Sequence, residues 1–234
     1  MFNHLIKVLI NKNNQSFNAK KVEDCIVAQI EYKNNAFSYF KNNTFFPKSP
    51  ELFLREKNGF KNIVIVLESP HRNEYDEKGE PLRPAMGTAG VNLKSKLIGI
   101  MNRNGELKKV LNKETYNLWL VNAVQYQCSF GLKPIQKEMR NFVFRVLWKE
   151  LKEDFLIRLK NLEPIVVINL CTGGKKVIED ILGNKNSSLS ETPLNLLVHK
   201  AIKEIFDNKL LYLYGSHPSS SYFSNPKYMF NKGW

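Results

Sequence analysis

At three points the chain passes from an apolar run into side chains equipped for proton transfer and hydrogen bonding. In Val64-Ile65-Val66-Leu67-Glu68-Ser69-Pro70-His71 an uncharged β-branched stretch stops at a carboxylate, a hydroxyl, a proline and an imidazole. Leu120-Val121 stops at Asn122, and the run ending at Tyr214 opens into Gly215-Ser216-His217-Pro218-Ser219-Ser220-Ser221-Tyr222-Phe223. A carboxylate such as Glu68 can steady developing positive charge or orient a water. An imidazole such as His217 can donate to developing negative charge, a contribution typically of about 3 kcal/mol for one preorganised donor. An amide such as Asn122 is donor and acceptor at once, as reading a polar edge requires.

These groups need elements that bring them to one place. Short runs rich in Val and Ile suit strands buried on both faces of a parallel sheet, and ligands in such sheets bind beyond the carboxyl ends of the strands. Strands are expected at 62–67, 117–121, 164–170 and 210–214. Between them the patterns predict helices over 91–101, from Pro134 through Phe155, from Lys175 to about Leu182, and over 194–206. The inner side of the second carries Ile135, Met139, Phe142, Val143, Val146, Leu147, Leu151 and Phe155.

Val22, Ile26, Ile30 and Phe37, with Cys25 and Ala36 beside them, approximate one helical face, so residues 1–60 are expected to form an N-terminal helical layer ended by Pro47 and Pro50. The expected fold class is thus α/β, a three-layer α/β/α domain spanning 1–234 with a central, about four-stranded parallel sheet. The tract from 68 to 90 is too rich in Gly and Pro for a regular element, and loops of such length are usually functional or disordered. Gly173-Gly174-Lys175 at a strand-to-helix turn offers backbone N–H groups to a phosphate, but it does not match the nucleotide P-loop pattern.

The 234 residues carry 35 Lys and Arg against 22 Asp and Glu, a net charge of +13, with a pI near 9.5. That balance favours a polyanion as partner, because neutralised phosphates release counterions; DNA is the expected one. Three scattered cysteines, Cys25, Cys128 and Cys171, provide neither a disulfide framework nor a metal set, and no cofactor or metal is expected. No stretch approaches the roughly 20 apolar residues of a membrane span, and the first residues lack a signal-peptide pattern. A cytoplasmic protein with no membrane partner is expected.

The order of motifs resembles the uracil-DNA glycosylase superfamily, closest to the branch whose first motif runs G-E-A-P-G. The matching residues are Glu68, Pro70, Glu74, Asp76, Gly79, Pro81, Gly87, Ala89, Gly90 and Leu93, then Leu120-Val121-Asn122, then His217-Pro218-Ser219. The resemblance covers roughly residues 60 to 225. It implies that fold, base flipping, and hydrolysis of an N-glycosidic bond. Glu68 would stabilise the oxocarbenium-like sugar or orient the water, with Asp76 and Glu74 as reserve acids, and His217 would donate to the departing base. Ser69, His71, Leu82 and Asn122 would surround the base. Gly87, Ser219, Ser220 and Ser221 would hold the DNA backbone, while Tyr222 and Phe223 would wedge into the vacated stack.

The chain departs from the branch in three ways. It lacks the four iron-sulfur cysteines, Leu82 follows Pro81 where the family has a stacking aromatic, and His71 stands where the family has Gly or Tyr. The implied activity is a monofunctional DNA glycosylase, in DNA repair, acting on uracil or a modified pyrimidine. Three alternatives stay open: a bacterial anti-phage glycosylase acting on modified cytosine, a noncatalytic DNA-binding protein of the same fold recognising an unusual base, and a hydrolase of free nucleosides or nucleotides.

Overall fold

The computed structural model describes residues 20–40, 45, 59–112, 114–129, 134–174, 192–206, 210–223, 225 and 230–233. Strands β1 (Cys25–Lys33), β2 (Ala36–Tyr39) and β3 (Lys61–Leu67) are followed by helices α1 (Thr88–Arg103) and α2 (Gly105–Val110). Strand β4 (Thr115–Asn122), helix α3 (Pro134–Asn161), strand β5 (Pro164–Asn169), helix α4 (Leu194–Phe206) and strands β6 (Leu211–Tyr214) and β7 (Asn231–Lys232) complete the order.

One seven-stranded sheet runs β2-β1-β4-β3-β5-β6-β7. This corrects the expected four-stranded parallel sheet: the sheet is mixed. Strands β4, β3, β5 and β6 are mutually parallel, while β1, β2 and β7 are antiparallel additions. Residues 63–67 of β3 are fully shielded because helices cover both faces. Ile63, Ile65 and Leu67 pack toward α1 and α2, and Val64 and Val66 toward α3 and α4.

The expected helical layer is also corrected, since residues 25–39 form a β-hairpin on the sheet's flank. Its turn explains why. Asn34 and Asn35 hold φ of 54° and 60°, the left-handed region that Asn tolerates best among residues with a Cβ, and Lys33 pairs with Ala36 across them. A two-residue turn with both φ positive matches the twist of paired strands. Phe37 and Ile30 are buried on strands, and the helix-ending Pro47 and Pro50 lie outside the described residues.

Register aligns the carboxyl ends of the parallel strands. Leu67 faces Asn122, Val66 faces Asn169, and Asn169 faces Tyr214. The next residues, Glu68, Ala123, Leu170 and Gly215, therefore emerge along one edge. The chain goes from β3 to β4 on one side and then crosses to β5 on the other, so β3 stands at the switch point where crevices form in α/β sheets. The expected helix from Lys175 to Leu182 lies outside the described residues. No described helix is long and apolar enough to cross a membrane.

Candidate active site

Glu68 is the first residue past β3 and is only 4% exposed. A buried carboxylate requires partners, and both oxygens have one. The Thr172 N–H, from the turn after β5, donates to Oε2 at 2.9 Å. Arg140 of α3 brings Nη1 to 3.3 Å from Oε1.

His217 lies in the turn after β6 and lines an open cleft of about 350 Å3 together with Thr172, Asn195, Ser216, Ser220 and Asn231. The Ser219 N–H donates to its Nδ1 at 3.2 Å, and Ser219 Oγ lies 2.8 Å from the same nitrogen. An N–H pointing at Nδ1 makes that nitrogen an acceptor, which leaves the proton of the neutral ring on Nε2. Burial lowers the pKa of His217; Glu68 opposes this and Arg140 reinforces it.

Asn122 ends β4, fully buried. Its backbone is clamped from two sides: its N–H donates to Asp24 Oδ1 at 3.3 Å and Arg158 Nη2 donates to its carbonyl at 3.1 Å. Arg158 and Asp24 are ion-paired to each other. Asp24 directly precedes β1, so the hairpin helps to fix a candidate base-reading residue.

The loop after β3 folds back on Glu74. His71 Nδ1 accepts the Asn73 N–H, and Glu74 Oε1 accepts the His71 N–H, both at 3.3 Å. This reciprocal cap starts a single 3-10 turn, Arg72–Glu74. His71, expected beside the base, thus spends Nδ1 on the turn. Glu74 is 5% exposed, and burial pushes its carboxyl up to about 8, with the His71 and Ala85 N–H groups and the Asn122 amide opposing and Glu68 adding to the rise.

Between the ordinary value of 4.5 and about 8, native Glu74 keeps a proton that the unfolded chain has released. Stability contributed by the neutral form is therefore complete at low pH and falls as the pH rises through that window. Glu74→Gln is expected to raise Tm by about 5 °C near pH 8 and to change it little near pH 4, measured by thermal unfolding.

The remaining expected residues separate. Asp76 is exposed and accepts the Lys78 and Glu80 N–H groups at 2.9 and 2.8 Å, so it builds its own turn. Leu82 is 50% exposed on the outer loop. Gly87 caps α1. Ser69 is buried beside the Cys128 thiol. Ser220 lines the cleft, its Oγ accepting the Tyr222 N–H at 3.2 Å, and Ser221 is exposed.

Tyr222 is 54% exposed, whereas Phe223 is 2% exposed and packs in the core. The expectation that Phe223 wedges into DNA is corrected: its ring is committed to the face covered by α1 and α2. Asn92 Nδ2 donates to the Pro218 carbonyl at 2.7 Å and ties α1 to the His217 loop.

Sequence reasoning missed Arg140, Thr172, Asn195 and Asn231. Arg140 had a signal: it is a cation set between Met139 and Val143 on the buried side of α3. Thr172 contributes only its backbone, which composition cannot reveal. Gly173 and Thr172 carbonyls accept the N–H groups of Leu194 and Asn195, which closes this turn onto the start of α4. No three His, Cys, Asp or Glu side chains gather as a metal set among the described residues. Compared with family models, with curated proteins and with solved structures, the chain matches none.

Proposed function

We propose that the protein is a DNA glycosylase that flips uracil or a modified pyrimidine into the cleft and hydrolyses its N-glycosidic bond. One observation carries the reading: Glu68 and His217 follow the ends of β3 and β6 on one sheet edge, and Thr172, whose N–H holds the Glu68 carboxylate, lines the same cleft as His217. The resemblance of the sequence motifs supports it.

In this reading the bond between C1′ and the base nitrogen breaks as positive charge grows on the deoxyribose and negative charge on the base. Glu68 faces the first and His217 Nε2–H the second. Water adds its hydroxide to C1′ and its remaining proton neutralises the base. Arg140 and the Thr172 N–H fix the carboxylate, and the Ser219 N–H fixes the imidazole tautomer.

The test is base release from DNA carrying uracil, 5-hydroxymethylcytosine or glucosylated hydroxymethylcytosine. At least one base should be freed, and Glu68→Gln should slow its release roughly 100-fold or more. A second reading, a base-recognising DNA-binding protein without turnover, is favoured by the engagement of both Glu68 oxygens. It predicts tight, salt-sensitive DNA binding that survives Glu68→Gln, with no abasic product from any substrate.

A further inference from the structure

Beside the cleft a second cavity, of about 250 Å3, opens between α4 and strands β6 and β7. Asn195 and Tyr214 line both spaces, so the two are neighbours with a wall in common. Tyr212 and Tyr214 stand two residues apart on β6 and therefore share a face of the sheet. Tyr212 packs in the cluster beneath α3 and α4.

The floor of this groove is fixed. Asn169 Nδ2 donates to Tyr212 Oη at 2.9 Å and to the Asn195 carbonyl at 3.0 Å, which uses both of its hydrogens. The His199 ring meets Tyr212 edge to face, with centroids 5.0 Å apart. The Gly233 N–H donates to the Tyr212 carbonyl at 3.0 Å, and a Cβ on Gly233 would run into the Tyr212 ring. Strand β7 thus closes the far side with backbone alone.

The mouth is uncovered. Tyr214 is 43% and Leu196 39% exposed, and large exposed side chains around one cavity mark a binding surface. Burial, then the nearby Lys203 and Lys200, lower the pKa of His199, which keeps its ring neutral at neutral pH. Both lysines are exposed on α4. No described carboxylate lines the groove, and Glu204, next to Lys203 in sequence, is paired with Lys152.

We propose that this groove is a second nucleotide subsite, which stacks the unpaired base adjoining the one in the cleft and so directs the protein to single-stranded DNA. The inference rests on the reading that a DNA strand occupies the cleft, and adds the form of that strand. Aromatic side chains hold any base, because every base has a π-face, while neighbouring cations track its phosphates. A base within a duplex is already stacked on both sides and cannot also lie on Tyr214. The net charge of +13 attracts either form of DNA; the groove is what tells them apart.

The test is fluorescence anisotropy of the full chain with a labelled strand of about 12 thymidines and with the blunt duplex of that strand. The wild type should bind the single strand more tightly. Tyr214→Ala should weaken single-strand binding about ten-fold, the loss of one stacked base, and Tyr214→Phe should stay within about three-fold of wild type. Duplex affinity should change by less than about two-fold in Tyr214→Ala. Leu196→Glu, at an exposed helix position, should weaken single-strand binding at least about ten-fold by setting a charge of the phosphates' own sign in the groove. Lys200→Gln should reduce the salt dependence by the share of about one phosphate.

Unchanged single-strand affinity in Tyr214→Ala overturns the proposal. So does an equal loss on strand and duplex, or a loss in Tyr214→Phe as large as in alanine. Should Tyr214→Ala fail to fold, unchanged binding in Leu196→Glu overturns it. Tighter binding of the matching uridine RNA strand overturns DNA as the occupant. Base release from DNA together with strand binding indifferent to the groove overturns only this inference. No binding of either DNA form by the wild type overturns it along with the glycosylase reading.

Discussion

Arg140→Met is expected to cost roughly 3 kcal/mol or more of folding stability, because it strands the Glu68 carboxylate in the interior without its cation. The side chains of the pair are 16% and 6% exposed, and the Thr172 N–H is the remaining partner of Glu68. A buried pair is costly to halve and often cheap to replace whole. Glu68→Gln added to Arg140→Met should therefore restore most of the loss, to within about 1–2 kcal/mol of the parent. Denaturant unfolding of the two single variants and the double variant measures this directly. Additive losses in the double variant would mean that Arg140 supports α3 by packing and that its charge is incidental.

The second large effect is catalytic. His217→Ala is expected to slow base release by about 100-fold or more, with DNA affinity changed by less than about three-fold, since the donor acts on charge that develops only as the bond breaks. The pH dependence has a definite sign. A lowered pKa means that native His217 stays the neutral ring at neutral pH; protonation would leave the Nε2 donor in place but put a second N–H on Nδ1, against the Ser219 N–H that Nδ1 accepts. Release should decline on the acid side, through loss of that ring-orienting bond, only below the ordinary histidine value of 6.5. Single-turnover rates across that range provide the check. An unchanged rate in His217→Ala, or a loss confined to DNA binding, would remove His217 from the chemistry.

The parallel strands were legible because their composition leaves few alternatives. Five consecutive apolar residues at 63–67, bounded by Asn62 and Glu68, fit a strand covered on both faces. The ends of those strands were legible for the same reason, since polarity returns abruptly where the cover stops. The hairpin was obscured by arithmetic. Val22, Ile26 and Ile30 recur every four residues, and a spacing of four keeps side chains on one face of either a helix or a strand. Residues 26–30 are moreover buried without alternation, which erases the two-residue period. Asn34-Asn35 was the available signal, and it marks a turn that only paired strands need.

Much of the site was hidden for a different reason. Glu68, Asn122 and His217 stand at strand ends, but what tunes them comes from elsewhere: a cation on a helix read for its apolar face, a backbone N–H of Thr172, and Asp24 ahead of β1. None of these has a fixed offset in sequence from the group it serves. Phe223 shows the converse limit, because an aromatic after a turn is equally suited to core and surface until the covering helices are in position.

The insertion of β1 beside β4 has a consequence for biosynthesis. A ribosome releases Cys25 long before Leu120, its partner across the sheet, so the nascent hairpin waits with one edge unsatisfied. Long-range pairing of this kind is slow and exposes strand edges to other chains. Asp24 cannot clamp Asn122, nor can Glu68 find Thr172, until most of the polypeptide has emerged, and His217 arrives later still. The candidate site is thus complete only after segments from Asp24 to His217 have come together, and shorter translation products would leave unpaired strand edges of the kind that chaperones bind.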